Sequence, residues 1–373
     1  MTSHNHSYAA LSRIASVDPP GGIATPFLAV DLDAMERNIR RMAEYFAGRC
    51  ASLRPHLKHH KCTEIALLQL ASGASGMTCA TSDEVAAAVG AGISDVLLAN
   101  VVTDRARLAS VAAAAAKAAV TIAVDSPEAA ELASDAAVQH DVSLRVVVEV
   151  DIGMRRSGVA SADEAVTLAK HLALLPGLVF WGVMAYEGHL VAIEDRAQRS
   201  SAVLEAFAMI PELLADLDRA GFEVRMVTGG AASTFESAGN LPFMTDIQTG
   251  AYVLMDGAYS RLLPEFEPAL AAIATVATSR PGRPLVVDVG AKRMSTDWGE
   301  PMLAGYQAAH FATSEEHCRF LLDGTSRPQV GERVAVIPGH SCSTVSFHRS
   351  MFGFRGNRFE RVLRVDARDQ LAC

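Results

Sequence analysis

Short apolar, β-branched runs alternate with longer stretches of helical period along most of the chain, and that alternation limits the fold to a few architectures. The runs are FLAVDL (27–32), SLRPHLK (52–58), GMTCA (76–80), DVLLAN (95–100), VTIAVD (120–125), RVVVEVD (145–151), LVFWGVMAY (178–186) and EVRMVTGG (223–230). Between them lie helix candidates such as DAMERNIRRMAEYFA (33–47) and SDEVAAAVGAG (82–92), the longest covering 196–220. Many runs end in a polar residue or glycine, where a strand-to-helix loop would begin. Eight such units in about 230 residues predict an α/β fold, a TIM-type (β/α)8 barrel. A doubly wound sheet is the competing topology, but no GxGxxG follows the first strand.

Beyond Arg261 the texture changes to short β-like runs, AAIATVAT, PLVVDVG, RVAVIPG and ERVLRVD, separated by turn residues. The expected division is a barrel over 25–260 and a mostly β domain over 261–373, joined by the N-terminal segment 8–24. A net charge of −9 with no extended basic run argues against nucleic acid. No apolar run reaches the roughly 18 residues of a membrane span, and no signal-peptide segment opens the chain. Six cysteines in 373 residues read as reduced thiols of a cytoplasmic protein. His4 and His6 are read as part of a loose terminus rather than as ligands.

One stretch contradicts the acidic balance. SLRPHLKHHKCTE (52–64) packs arginine, lysine and histidine beside a core strand. On a strand, Arg54, His56 and Lys58 share a face, opposite Leu53 and Leu57. In a barrel, that face looks into the lumen at the mouth, where active sites lie. A lysine desolvated beside other cations loses basicity and becomes a Schiff-base nucleophile. The spacing alone leaves a solvated basic loop as an equal alternative.

LRPHLKHHKC resembles the cofactor-lysine motif of the D-threonine aldolase and D-serine dehydratase family, fold-type III pyridoxal 5'-phosphate (PLP) enzymes related to alanine racemase. The resemblance runs from TPFLAVDLDAMERNI (25–39) to PGHSCSTVSFH (338–348). It implies that Lys58 is the imine-forming lysine, with His56 beside it, and that Lys61 is the motif's second lysine. VDIGMRRSGV (150–159) is similar to the family's D-x-G-x-x-R-x-G, which carries Arg156 to the pyridine nitrogen. VMAYEGH (183–189) matches the next strand end and implies Tyr186 at the cofactor. VTGGAASTF (227–235) resembles the phosphate cradle, with Thr228, Gly229 and Gly230. IQTGAYVLMDGAY (247–259) resembles the segment that completes it, with Gly250, Ala251 and Tyr252. Ala231, Ala232 and Ser233 depart from the family's glycine run.

PGHSCS (338–343) sets His340 and Cys342 two apart, on one side of an extended segment, where the family binds a divalent metal. A thiolate–imidazole pair favours zinc, with manganese or magnesium as other candidates. Two ligands need water or substrate to complete a site. The resemblance implies a metal-assisted lyase for β-hydroxy-D-amino acids, built as a homodimer. Aldol cleavage to glycine and an aldehyde is preferred, with His189 as the nearest candidate base. Dehydration to a keto acid and ammonia is the alternative, consistent with Cys342. A racemase would need a tyrosine base from the β domain, and Tyr306 has no motif around it. A PLP carrier would not need the C-terminal hundred residues.

Overall fold

The computed structural model describes residues 2–18, 20–324 and 326–368. The chain divides into two compact units. One contains the chain up to Met42, His59–Glu64 and Ala251–Asp366; the other contains Ala43–Lys58 and Ile65–Gly250.

The second unit carries an eight-stranded parallel sheet. In spatial order its strands are Ser52–Leu53, Asp246–Ile247, Met226–Gly229, Leu178–Ala185, Leu144–Val150, Ala119–Val124, Asp95–Val101 and Met77–Cys79. Its two ends meet. His56 forms a parallel bridge with Thr78, whose amide donates to the Pro55 carbonyl at 2.8 Å, and the Ser75 amide donates to Leu53 at 2.8 Å. The sheet therefore curls into the barrel predicted from the alternation, with the Lys58 segment at its seam.

Lumen-facing residues stack in layers, as strand alternation and barrel closure require. At the strands' N-terminal ends, Arg54 pairs with Asp95 at 2.6 Å and Asp246 at 3.1 Å, and Arg145 reaches Asp95 at 3.2 Å. Above them lies an apolar belt of Leu97, Ala99, Ala123, Val147, Met184 and Met226, with Trp181 packed against it. Polar residues return at the C-terminal mouth.

Phe27–Leu32, expected as the first barrel strand, is not in the barrel. Phe27–Asp31 pairs antiparallel with Leu270–Thr278 and parallel with Ser350–Arg355, inside the nine-stranded sheet of the other unit. All five of its residues are buried, as befits a strand hydrogen-bonded on both sides. Asp246–Ile247 takes the vacant place in the barrel. The units accordingly differ from the expected 25–260 and 261–373, because 25–42 and 251–260 pack with the β sheet.

Local chemistry explains other departures. The helix expected over 196–220 is broken into Arg196–Ala206 and Ile210–Arg219, joined by a 3-10 turn, and Pro211 sits in the first turn of the second piece. The N-terminus forms a helix, Thr2–Ala15, rather than a loose tail. No helix among the described residues is long and apolar enough to cross a membrane.

Candidate active site

The strand expected over 52–58 stops at Leu53. Pro55 has no amide to continue a ladder, and the chain turns through the 3-10 segment Leu57–His59. Arg54 consequently stays at the bottom of the lumen, 4% exposed and neutralised by two carboxylates. It is not part of a basic trio around Lys58. His56 is buried below the mouth; its amide donates to Thr249 at 3.1 Å and its Nδ1 accepts the Lys58 amide at 3.4 Å. The Lys58 ammonium lies 5.8 Å from the centre of the Tyr186 ring, and the Arg156 guanidinium lies 5.6 Å from the same ring. Both cations lie within cation–π distance of this ring. Lys61 belongs to the other unit and has a left-handed backbone, φ 47°.

Arg156 is delivered by an Asx turn. Asp151 Oδ1 accepts the amides of Gly153 at 2.9 Å and Arg155 at 3.0 Å. Burial works against the Asp151 carboxylate, but these amides and that of Met154 pull its pKa below the usual range. Gly158 closes the loop at φ 111°, where a Cβ would fall 2.6 Å from the Asp151 nitrogen. Glu149, 3% exposed, takes Arg156 at 3.3 Å and the Ser157 hydroxyl at 2.8 Å through one oxygen.

The glycine loop follows Met226–Gly229. A Cβ on Gly229 would lie 1.9 Å from the Ala185 carbonyl, and one on Gly230, at φ 83°, would lie 2.9 Å from Ile247. Only glycine lets the backbone approach this closely. Thr228 is buried and its hydroxyl accepts from Gln248 at 2.9 Å. Ala231 and Ala232 keep the loop small. Ser233, however, spends its hydroxyl on the Val191 carbonyl at 2.8 Å. Gly250 ends this unit. Ala251 and Tyr252 open the next segment of the other unit, in the 3-10 turn Ala251–Val253, with Tyr252 buried edge-on against Phe266 at 6.0 Å.

Glu187, between Tyr186 and Gly188, is fully buried and touches the glycine loop. His189 is exposed, and its ring lies over Gly153, where a Cβ would meet Nε2 at 2.9 Å. It thus stands beside the Arg156 loop.

His340 and Cys342 lie in the other unit, and not on a strand. His340 caps the short helix Ser341–Ser346, so the extended geometry expected for the pair is absent. Their side chains nevertheless hydrogen-bond each other. Burial lowers the His340 pKa, but the bond to Cys342, the charges of Cys342 and Asp256 and the bond to Asp297 outweigh it and push it up to about 9. Asp297 Oδ2 accepts from His340 Nδ1 at 3.0 Å and from the Ser343 hydroxyl at 2.7 Å. Beneath the loop, buried Asp256 accepts the Ser341 amide and hydroxyl, both at 2.9 Å, and His59 Nε2 meets that hydroxyl at 2.6 Å. No cluster of three or more His, Cys, Asp or Glu side chains suited to a metal occurs among the described residues.

The residues present fit PLP. Glu149 Oε2 and Thr249 Oγ1 are buried polar atoms without a hydrogen-bond partner among the described residues, both at strand C-terminal ends of the barrel. Gly229 and Gly230, held to glycine by close packing against Ala185 and Ile247, keep this turn to bare backbone. For a metal, the Asp297 bond occupies Nδ1 and leaves Nε2 as the coordinating nitrogen of His340, beside a thiol, which is a chemically suitable pair.

A parallel barrel with lysine and arginine meeting at one aromatic ring, together with a β sheet unit, defines a fold-type III PLP enzyme. The family model for the alanine racemase N-terminal domain matches residues 30–256, and that for a serine dehydratase domain matches 269–354. The chain is 31% identical over 357 residues to a D-threonine aldolase from Arthrobacter sp, covering 94% of each. It is 32% identical over 360 residues to a 3-hydroxy-D-aspartate aldolase from Paracoccus denitrificans (strain Pd 1222), covering 93% of this chain and 92% of that one. The solved D-threonine aldolase from Filomicrobium marinum superposes with a TM-score of 0.90 at 32% identity, covering 94% of this chain and 97% of that one. The chain belongs to the D-threonine aldolase and D-serine dehydratase family.

Proposed function

We propose that the protein is a PLP-dependent lyase that cleaves β-hydroxy-D-amino acids between Cα and Cβ, releasing glycine and an aldehyde. The observation that carries this reading is the approach of Lys58 and Arg156 to the Tyr186 ring, beside a glycine loop. It occurs in a chain whose relatives at 31% and 32% identity are aldolases. Bound PLP supplies the electron sink for the pair released at Cα. Lys58 anchors the carbonyl end of the cofactor. Arg156, which does not give up its proton, faces the ring nitrogen and is oriented by Glu149. Thr228, Gly229, Gly230 and Gly250, with the backbone of Ala251 and Tyr252, receive the phosphate. His189 takes the β-hydroxyl proton, in keeping with its exposed place beside the Arg156 loop.

His340 and Cys342 are the proposed ligands of a divalent metal, whose chemistry is to grip the β-hydroxyl and lower its pKa. A thiolate and an imidazole suit zinc better than manganese or magnesium. Cys342 also favours a second reading, elimination to a keto acid and ammonia. We place the enzyme in the cytoplasm as a homodimer.

Incubation with D-threonine, D-phenylserine and D-serine separates these readings. Glycine plus aldehyde supports the aldolase. Keto acid plus ammonia supports the dehydratase. Neither product from any of the three rejects the lyase.

A further inference from the structure

We propose that Glu187 is a positioning residue for the phosphate loop, holding Gly230, Ala231 and Thr234 in the shape that receives the cofactor's phosphate. This rests on the reading of that loop as the phosphate site. Glu187 is 0% exposed and lies in the loop after Leu178–Ala185, directly beneath the glycine turn. Its Oε2 accepts the Gly230 amide at 3.3 Å, and its Oε1 is bonded to the Thr234 hydroxyl. That hydroxyl in turn accepts the Ala231 amide at 2.9 Å. One carboxyl group therefore organises the backbone at both ends of the turn.

A buried carboxylate beside a phosphate would repel it, so charge decides whether this arrangement can work. Burial pushes the Glu187 carboxyl above the usual range, although Thr234 and the amides of Glu187, Gly230 and Ala231 pull the other way. The protonated group resolves the conflict. One oxygen accepts from Gly230, while the hydroxyl donates to Thr234 and frees the threonine proton for the Ala231 carbonyl at 3.4 Å. Arg199, 2% exposed, also fixes the loop, through the Ser233 carbonyl at 2.9 Å, and binds the Ile193 and Glu194 carbonyls. Arg199 keeps the loop in place; Glu187, directly and through Thr234, fixes the backbone at Gly230 and Ala231 and so the shape of the turn.

The test compares PLP with pyridoxal, which lacks the phosphate, by titrating each into the apoprotein and reading the visible band. Glu187→Gln keeps both hydrogen-bond roles of the neutral acid and should bind PLP within about threefold of wild type. Glu187→Ala and Thr234→Val should each weaken PLP by about tenfold or more, the loss expected when a buried hydrogen bond that shapes the loop is broken. Pyridoxal affinity should stay unchanged in all three. Should Glu187→Ala fail to fold, Thr234→Val gives the same reading. Equal losses for PLP and pyridoxal would reduce Glu187 to a general stabiliser and overturn the proposal. So would full PLP affinity in the alanine and valine variants, or a glutamine variant as weak as alanine. A wild-type protein that takes up no PLP would instead overturn the phosphate-site reading beneath it.

Discussion

Asp297 holds His340 by its Nδ1 at 3.0 Å, and Ser343 holds Asp297 at 2.7 Å. This carboxylate–imidazole pair fixes the ring's orientation through Nδ1, the arrangement by which proteins orient metal-binding histidines. Replacing Asp297 with asparagine should lower zinc affinity about 10- to 100-fold. Competition against a chromophoric chelator measures it. The visible cofactor band should not change. Unaltered zinc affinity would remove Asp297 from the metal site.

Chelation should abolish most lyase activity and leave PLP in place. Zinc should restore activity better than magnesium, because Cys342 offers a soft thiolate. Full activity in exhaustively chelated, metal-free protein would reject the His340–Cys342 assignment.

Borohydride treatment of the PLP-loaded protein should attach the cofactor to Lys58, as read by peptide mapping. Lys61 stands only three residues on, but it belongs to the other unit. A label on Lys61 would refute the assignment. Lys58→Ala should show no turnover. Arg156→Ala should retain PLP and lose activity, since the phosphate loop, not the arginine, is the proposed anchor.

The bottom of the lumen gives a stability prediction. Arg54→Met would leave buried Asp246 without its cation and Asp95 with Arg145 alone, at a cost of about 3 kcal/mol or more. Urea denaturation should show it. Protein that still folds should show an unchanged cofactor spectrum, because the apolar belt separates Arg54 from the mouth.

Gly229→Ala should be worse tolerated than Gly90→Ala. At Gly229 the added carbon overlaps the Ala185 carbonyl, whereas at Gly90 it meets open space. Forced backbone movement of this kind costs about 1–3 kcal/mol or more. Denaturation midpoints and PLP content of the two variants decide the point.

The barrel strands between 76 and 185 were readable because each is a continuous apolar run flanked by helix signals. Phe27–Asp31 has the same composition, yet local pattern names no partner, and its neighbours are Leu270–Thr278 and Ser350–Arg355. Alternation put Arg54 on the same face as Lys58, but it carries no depth. Depth came from Asp95 and Asp246, 41 and 192 positions away. The motif spacing around Arg156 and Gly229 was legible because those turns are local. Glu187 was hidden between two recognisable residues, its partner Thr234 lying 47 positions on. Asp297 had no signal at all, since only folding brings it to His340, 43 positions later.

The seam of the barrel has a consequence for how the protein is made. Ser52 and Leu53 pair with Asp246 and Ile247, so the strand leading to Lys58 finds its partner only near the end of the barrel sequence. At about 5–20 residues per second, the ribosome needs on the order of 10–40 seconds to supply it. Until then the nascent chain carries an unpaired strand and half a mouth. Cofactor uptake therefore belongs to the released or nearly complete polypeptide, and fragments truncated before Asp246 should emerge colourless and prone to aggregate.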